Sequence, residues 1–207
     1  MTARVNTIIR GDALMQRDKS NFRAHGLHAS GFSLLELLVT LAVVGILAVI
    51  AIPNFRAFLM NQRRDSVVDA LVASLHYARN QALNLDQNTT LCAGTPGISC
   101  TGGSWATGWE VVQAQPSAAS VVLTTHVLQA TSSVPTLTAV NGSSGFQFIG
   151  NGLVTFVPAL AGGIELLKVC DSRGAASARA VEINRFGYVQ SSAKPGMAPD
   201  GSALVCP

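Results

Sequence analysis

The clearest pattern in the chain is a change in how apolar positions repeat between residues 32 and 86. Residues 32–52 form a nearly unbroken apolar run whose single charge is Glu36. Beyond Pro53, apolar residues recur at three- and four-residue steps, at Val68, Leu71, Val72, Leu75, Ala78 and Ala82. This periodicity predicts one long helix over 32–85, apolar all round in its first half and on one face in its second. We expect Pro53 to kink that helix.

After residue 86 the chain becomes rich in Gly, Ser, Thr and Pro, and short runs of β-forming residues alternate with turns. Turn signals include Asn141-Gly142, Asn151-Gly152 and Phe186-Gly187. The predicted strands are 89–92, 109–113, 121–127, 146–149, 153–157, 165–170, 180–184 and 188–190. A helix followed by a run of strands indicates an α+β fold, with an antiparallel sheet covering the apolar stripe of the helix.

Charge is concentrated ahead of the apolar run. Residues 1–31 contain five basic and two acidic side chains, so this leader accounts for the whole net charge of +3. The 21 residues of the run would rise about 31 Å as a helix, roughly the hydrocarbon thickness of a bilayer. Basic residues on its N-terminal side predict a cytoplasmic leader and export of the chain beyond Pro53.

All four cysteines, Cys92, Cys100, Cys170 and Cys206, follow the apolar run. An even number of cysteines in an exported domain indicates disulfides, for which three pairings exist. A short segment of turn-forming residues separates Cys92 from Cys100 and favours a local bridge, which leaves Cys170 and Cys206 to tie down the C-terminus. The sequence has no Cys-x-x-Cys and no histidines spaced as ligands, so we expect no metal or other cofactor.

The other residues capable of chemistry fit structural roles better. The sequence contains no Gly-x-Ser-x-Gly and no phosphate-binding loop, so no enzymatic activity is predicted. We expect Trp105 and Trp109 to pack on the sheet and cover the helix. Asp65 and Asp69, close to Arg64, are predicted to lie on a solvated face of ion pairs.

Residues 31–36, Gly-Phe-Ser-Leu-Leu-Glu, resemble the processing site of type IV pilins and type II secretion pseudopilins. In that family the cut follows the glycine, and a glutamate is the fifth residue of the mature chain, as Glu36 is when counted from Phe32. Pro53 also stands where a proline is common in the family. Residues 70–92 and 105–112 are similar to the GspH/FimT group, through an Ala-Arg-x-x-Ala helix, a Thr-Leu-Cys strand and the segment Trp-Ala-Thr-Gly-Trp. The 31-residue leader is long for this family.

This resemblance implies a pilin-like fold and a minor pilin or pseudopilin. Prepilin peptidase would cut between Gly31 and Phe32 and methylate Phe32. The expected segments are a removed leader (1–31), a transmembrane and assembly helix (32–53), an amphipathic helix (54–86) and a periplasmic β-rich domain (87–207). The protein would wait in the bacterial inner membrane and then join other (pseudo)pilins in a filament.

Glu36 has two interpretations. Its carboxylate would pair with the new α-amine of Phe32 on a neighbouring subunit, because an unpaired acid inside a bilayer is costly. Alternatively, it reaches water near the membrane interface as a tolerated acid.

Three alternatives to the whole scheme stay open. Some members of the family bind DNA during uptake, and the late cations here are Lys168, Arg173, Arg179, Arg185 and Lys194, which nearby acids largely offset. The chain could also be an uncleaved single-span membrane protein. Finally, an ordinary signal peptidase could cut after Ala51 and release a secreted protein.

Overall fold

The computed structural model describes residues 31–94, 103–116, 119–129 and 134–206. Within these ranges the chain forms one long helix, α1 (Leu34–Leu85), followed by strands. The strands are β1 (Thr89–Ala93), β2 (Gly108–Gln113), β3 (Val121–Val127), β4 (Thr136–Ala139), β5 (Gly145–Phe148), β6 (Val154–Val157), β7 (Ile164–Cys170), β8 (Arg179–Asn184) and β9 (Val189–Ser191). The chain divides into two units between Gly45 and Ile46, and α1 contributes residues to both.

The single long helix predicted from the apolar periodicity is confirmed. It ends at Leu85, and Asp86 adopts a φ of 50°, the left-handed conformation common just after a helix. Pro53 lies inside the helix rather than at an end. The kink expected at Pro53 therefore stays a prediction, while a break in the helix at this position is excluded.

The strands pair antiparallel, as the turn signals predicted, but they form two sheets where the sequence indicated one. The five-stranded sheet has the order β3-β2-β1-β5-β6, and the four-stranded sheet has the order β4-β7-β8-β9. Each strand pairs antiparallel with its neighbours. The two sheets share no strand, but a backbone hydrogen bond joins them where the N–H of Val154 in β6 donates to the carbonyl of Arg185, just after β8, at 2.8 Å.

The main core joins the amphipathic half of α1 to both sheets. Leu71, Leu75, Ala78 and Ala82 on the helix are fully buried. The five-stranded sheet supplies Leu91, Trp109, Val111, Phe146 and Phe148, and the four-stranded sheet supplies Leu137, Leu167, Val169, Val181 and Ile183. Burying one leucine-sized side chain contributes about 1.5–3 kcal/mol. The apolar stripe predicted on the helix and the inner side chains of both sheets thus form one shared core.

Both tryptophans take the structural role expected of them. Trp109 is fully buried, and its Nε1 donates a hydrogen bond to Ser74 Oγ on α1 at 2.9 Å. Trp105 is also buried, packs on Phe146 and donates from Nε1 to the carbonyl of Ser143. Each indole therefore buries its ring in the core while its N–H is satisfied.

Glu165 is a buried acid that no local pattern in the chain singles out. Its side chain is fully buried in β7, and the carboxylate accepts hydrogen bonds from the backbone N–H groups of Asn141 (2.7 Å) and Ser143 (2.9 Å). These donors belong to the Asn141-Gly142 turn between β4 and β5. The buried acid therefore holds this turn against the four-stranded sheet, since each oxygen has a backbone partner.

Strand β4 and the environment of Arg64 also differ from the sequence prediction. Strand β4 was not predicted, because its four residues follow a proline and contain one large apolar side chain, Leu137; pairing with β7 makes it a strand. Arg64 was placed on a solvated face, but its side chain is only 4% exposed. It donates to the carbonyl of Ser177 at 2.6 Å and pairs with Asp65. The connection between β7 and β8 covers it, which no local pattern in the helix reveals.

The C-terminus is tied down by a disulfide between Cys170 and Cys206, 36 residues apart in sequence, the pairing that the sequence favoured. Around it lies a second small core of Ala178, Ala180, Ala198 and Leu204. Cys92 is also disulfide-bonded. Cys100, its predicted partner, lies outside the described residues.

Candidate functional site

The first turn of α1 places the predicted processing and assembly residues together. Ser33 Oγ accepts a hydrogen bond from the backbone N–H of Glu36 at 3.1 Å, which caps the helix start. Ser-x-x-Glu is the sequence of a capping box. Gly31, Phe32 and Glu36 are all exposed. Within the described part of the chain, no hydrogen bond or ion pair engages the Glu36 carboxylate, so this acid is available to a group on another molecule.

The apolar part of α1, on both sides of Glu36, exposes its side chains all round. Leu34, Leu35, Val44, Leu47 and Val49 are each exposed, with Val49 at 74%. Residues 31–52 contain no buried side chain. Among the described residues, α1 is the one helix that is both long enough and apolar enough to cross a membrane. Such a surface needs lipid or other apolar helices around it, because large apolar patches left in water are unfavourable.

Two polar side chains of this helix, Thr40 and Asn54, form hydrogen bonds within it. Thr40 Oγ1 donates to the carbonyl of Leu37 at 2.9 Å. Pro53 cannot donate to the carbonyl of Val49. One residue further on, Asn54 Nδ2 donates to the carbonyl of Ile50 at 3.0 Å. Internal pairing of this kind is what a helix in lipid requires.

Within the described residues, no contact or backbone conformation requires glycine at Gly31 or Gly45. A Cβ built on either residue meets nothing within 4 Å, and neither needs a positive φ. A glycine inside a helix costs about 1 kcal/mol relative to alanine. The open space at both positions leaves room for another molecule to approach the backbone closely.

Several late cations are engaged by neighbouring groups. Arg173 pairs with Asp171 at 2.6 Å and donates to Asn61 Oδ1 on α1 at 2.9 Å. Lys168 Nζ donates to the carbonyl of Val205 at 2.6 Å. Arg179 pairs with Asp65 and donates to the carbonyl of Ser192. Burial alone would raise the pKa of Asp171, but hydrogen bonds from Arg173 and its charge outweigh this and hold that pKa below its usual value.

The positions of these cations bear on nucleic-acid binding. Phosphate binding needs several clustered cations that are free to reach it. Lys168, Arg173 and Arg179 instead bind the domain to itself, and two of them have acid partners. Arg185 and Lys194 are exposed, and because two cations fall short of the cluster that phosphate binding needs, the arrangement disfavours the DNA-uptake alternative.

An exposed apolar helix whose amphipathic half packs on antiparallel sheets defines a subunit of the pilin class. The family described as "Type II transport protein GspH" matches residues 67–187, more than half of the chain. A second match, described as "Prokaryotic N-terminal methylation motif", covers residues 27–52. The chain belongs to the GspH family, and it is a minor pilin or pseudopilin. Its family consists of structural subunits that assemble with other pilins.

Two solved structures resemble this chain, both of the Pseudomonas aeruginosa type IV minor pilin FimU in different crystal forms. The first is 20% identical, covers 62% of this chain and 91% of its own, and has a TM-score of 0.46. The second is also 20% identical, covers 65% and 92%, and has a TM-score of 0.49.

Proposed function

We propose that prepilin peptidase cleaves this chain between Gly31 and Phe32 and methylates the new N-terminus, and that the mature subunit enters a filament. Residues 1–31 are then the leader, 32–53 the membrane and assembly helix, 54–86 the amphipathic helix and 87–207 the exported domain. Basic residues ahead of the helix favour a cytoplasmic leader and a periplasmic domain anchored in the inner membrane. The exposed Gly31, with open space around it, supports access by a protease.

The observation that carries this proposal is the unengaged carboxylate of Glu36 on an otherwise apolar, exposed helix turn. A charged residue at the centre of a membrane helix costs about 2.5–3.5 kcal/mol on insertion scales, and less near the end. Cleavage creates a positive α-amine at Phe32, four residues before Glu36. On one subunit these groups belong to the same helix turn, but between subunits the amine of one can meet the carboxylate of the next. An opposite charge in a poorly hydrated filament centre then offsets the desolvation of both.

Pairing of this kind fixes the axial position of each incoming subunit. Apolar packing along residues 32–52 is non-directional and permits sliding. A mispositioned subunit would leave both charges unpaired among apolar side chains, which is strongly unfavourable. The small side chains of Gly45 and Ala48 allow close approach of a neighbouring helix at one level. Apolar packing therefore supplies the attraction, and Glu36 supplies the position.

Sequencing the N-terminus of the mature protein tests this proposal and separates the alternatives. Phe32, carrying one methyl group by mass spectrometry, is the expected result. Met1 would indicate an uncleaved single-span membrane protein, and Ile52 would indicate a protein released by ordinary signal peptidase. Either of those two results overturns the proposed processing.

A second measurement distinguishes the two kinds of filament. Deleting the gene and measuring both protein secretion and surface pili shows which process needs the subunit. A secretion defect with normal pili assigns the chain to a type II secretion pseudopilus. The reverse result assigns it to a type IV pilus.

A further inference from the structure

Strand β3 is an edge of the five-stranded sheet and lacks most of the features that protect edges. It spans Val121–Val127, VVLTTHV, with no Pro, Lys, Arg, Asp or Glu. Val121, Val122 and Val127 are exposed. Sheet edges are normally protected by charges, prolines, shortness or bulges, because unpaired backbone groups attract further strands. β3 carries one such feature, an irregular register opposite the Val111/Val112 step of β2.

The regular part of β3 directs backbone groups away from the sheet. Residues 124–127 pair in register with residues 108–111 of β2. Just beyond them, the N–H of Leu128 donates towards β2, to the carbonyl of Thr107 at 3.0 Å. Because an antiparallel strand alternates inward and outward groups, the N–H and C=O of Val127 and Thr125 point outward. They form a ladder that can accept another strand.

A cavity of about 400 Å³ lies beside this edge, between α1 and β3. Ala73, Ser74 and Tyr77 of α1 line one side, and Leu123 and Thr124 of β3 line the other. Tyr77 is 38% exposed. A strand added to β3 would turn alternate side chains towards α1, and these side chains would enter the cavity. The cavity is lined without charges, so it suits neutral or apolar side chains.

We propose that β3 accepts an extended strand from another (pseudo)pilin subunit, which pairs with the outward backbone groups and places neutral side chains against Tyr77. This mode of recognition takes affinity from backbone hydrogen bonds and specificity from side-chain pockets. The regular part of the edge, residues 124–127, extends about 14 Å, enough for a short strand. The inference rests on the proposed function, because it requires assembly with other subunits.

The partner is a different subunit rather than a second copy pairing β3 with β3. Antiparallel pairing of two identical strands has a two-fold axis perpendicular to the sheet. That axis would turn the packed segments of α1, which lie across the sheet face, in opposite directions. Subunits of one filament are drawn from one membrane and share one polarity, so such a pair does not fit a filament.

Site-specific photocross-linking in cells that build the filament tests the inference. The full-length chain carries p-benzoyl-phenylalanine at Val127 in one strain. The matched control carries it at Thr155 of β6, the opposite edge of the same sheet. We expect Val127 to cross-link to another (pseudo)pilin, identified by mass spectrometry, and Thr155 not to give that product. A second pair of variants adds Thr125→Lys at the β3 edge or Thr155→Lys at the β6 edge; the first should abolish the Val127 cross-link and the second should preserve it.

The outcomes separate this inference from the proposed function. If the chain is present in isolated filaments but Val127 gives no cross-link, or cross-links only to its own copies, the strand-acceptor role is overturned and the subunit role stands. If the mature chain is absent from filaments, both are overturned. A cross-link that survives Thr125→Lys also contradicts strand addition, because a lysine at an outward edge position should block pairing.

Discussion

Trp109 Nε1 donates a hydrogen bond to Ser74 Oγ, linking β2 of the five-stranded sheet to α1 at 2.9 Å. Ser74 Oγ also donates to the carbonyl of Ala70 at 2.8 Å, and this bond within the helix orients the hydroxyl that accepts from the indole. One face of the Trp109 ring stacks on His126 of β3, with ring centroids 4.3 Å apart. The contact sets where the helix lies on the sheet.

Replacing Ser74 with alanine should destabilise the protein by about 1–3 kcal/mol, because the buried Trp109 N–H loses its acceptor. Ser66→Ala, at an exposed position on the same helix, serves as the matched control and should change the free energy of unfolding by less than about 0.5 kcal/mol. Urea denaturation followed by tryptophan fluorescence measures both. Equal stability of the two variants would show that the Trp109 hydrogen bond does not stabilise the helix–sheet contact.

Replacing both Cys170 and Cys206 with serine should lower the free energy of unfolding by about 3–4 kcal/mol. The 36-residue separation sets this magnitude through the chain entropy that the bridge removes from the unfolded state. Adding a reductant to the wild-type protein should lower its free energy of unfolding by part of this amount. In the double variant the Cys170–Cys206 bridge is already absent, so a reductant should cause no further loss from this bridge. An unchanged denaturation midpoint in the double variant would contradict a stabilising role for the bridge.

Acid should weaken the attachment of the β7–β8 connection to α1. Because the pKa of Asp171 is held below 3.8 in the folded protein, its contribution is complete above that unfolded value and is lost as pH falls through the lower folded value. Asp171→Asn should therefore be less stable than wild type at pH 7, and the difference should shrink as pH falls below about 3.8. Denaturation midpoints at several pH values measure this. Asp69→Asn, at an exposed helix position, is the control, and a constant gap between Asp171→Asn and wild type would refute the role of the ion pair.

These contacts mark where sequence reasoning stopped. The stripe from Val68 to Ala82 and the turn-bounded strands could be predicted, because burial repeats with the period of each element. The partner of Ser74 could not, since Trp109 lies 35 residues away. Arg64 was misplaced for the same reason: its acceptor, Ser177, is 113 residues distant. The Gly-Phe-Ser-Leu-Leu-Glu site could be found in the sequence because it is a motif of consecutive residues. That these residues are exposed is a property of the fold and could not be found in this way.

The two unexplained glycines should respond differently to substitution. Under the proposed processing, Gly31→Ala should block cleavage and leave unprocessed precursor in the membrane, because the peptidase would contact this position directly. Gly45→Ala should be processed normally, since alanine favours the helix and nothing crowds the position. Gly45→Leu should also be processed but should enter filaments poorly, because the larger side chain prevents close helix packing. Immunoblots of membrane and filament fractions measure all three, and full incorporation of Gly45→Leu would exclude a tight helix contact at that level.

The most direct test of the account is the amount of Glu36→Gln subunit in purified filaments, relative to wild type expressed at the same level. Glutamine keeps the size of the side chain and the capped helix start but removes the charge that we propose pairs with the Phe32 amine. We expect normal membrane insertion and a normal Phe32 N-terminus, with a severe loss of the variant from filaments. Glu182→Gln, on strand β8 and far along the chain from the apolar helix, should incorporate like wild type. Normal incorporation of Glu36→Gln would contradict the claim that this carboxylate positions the subunit.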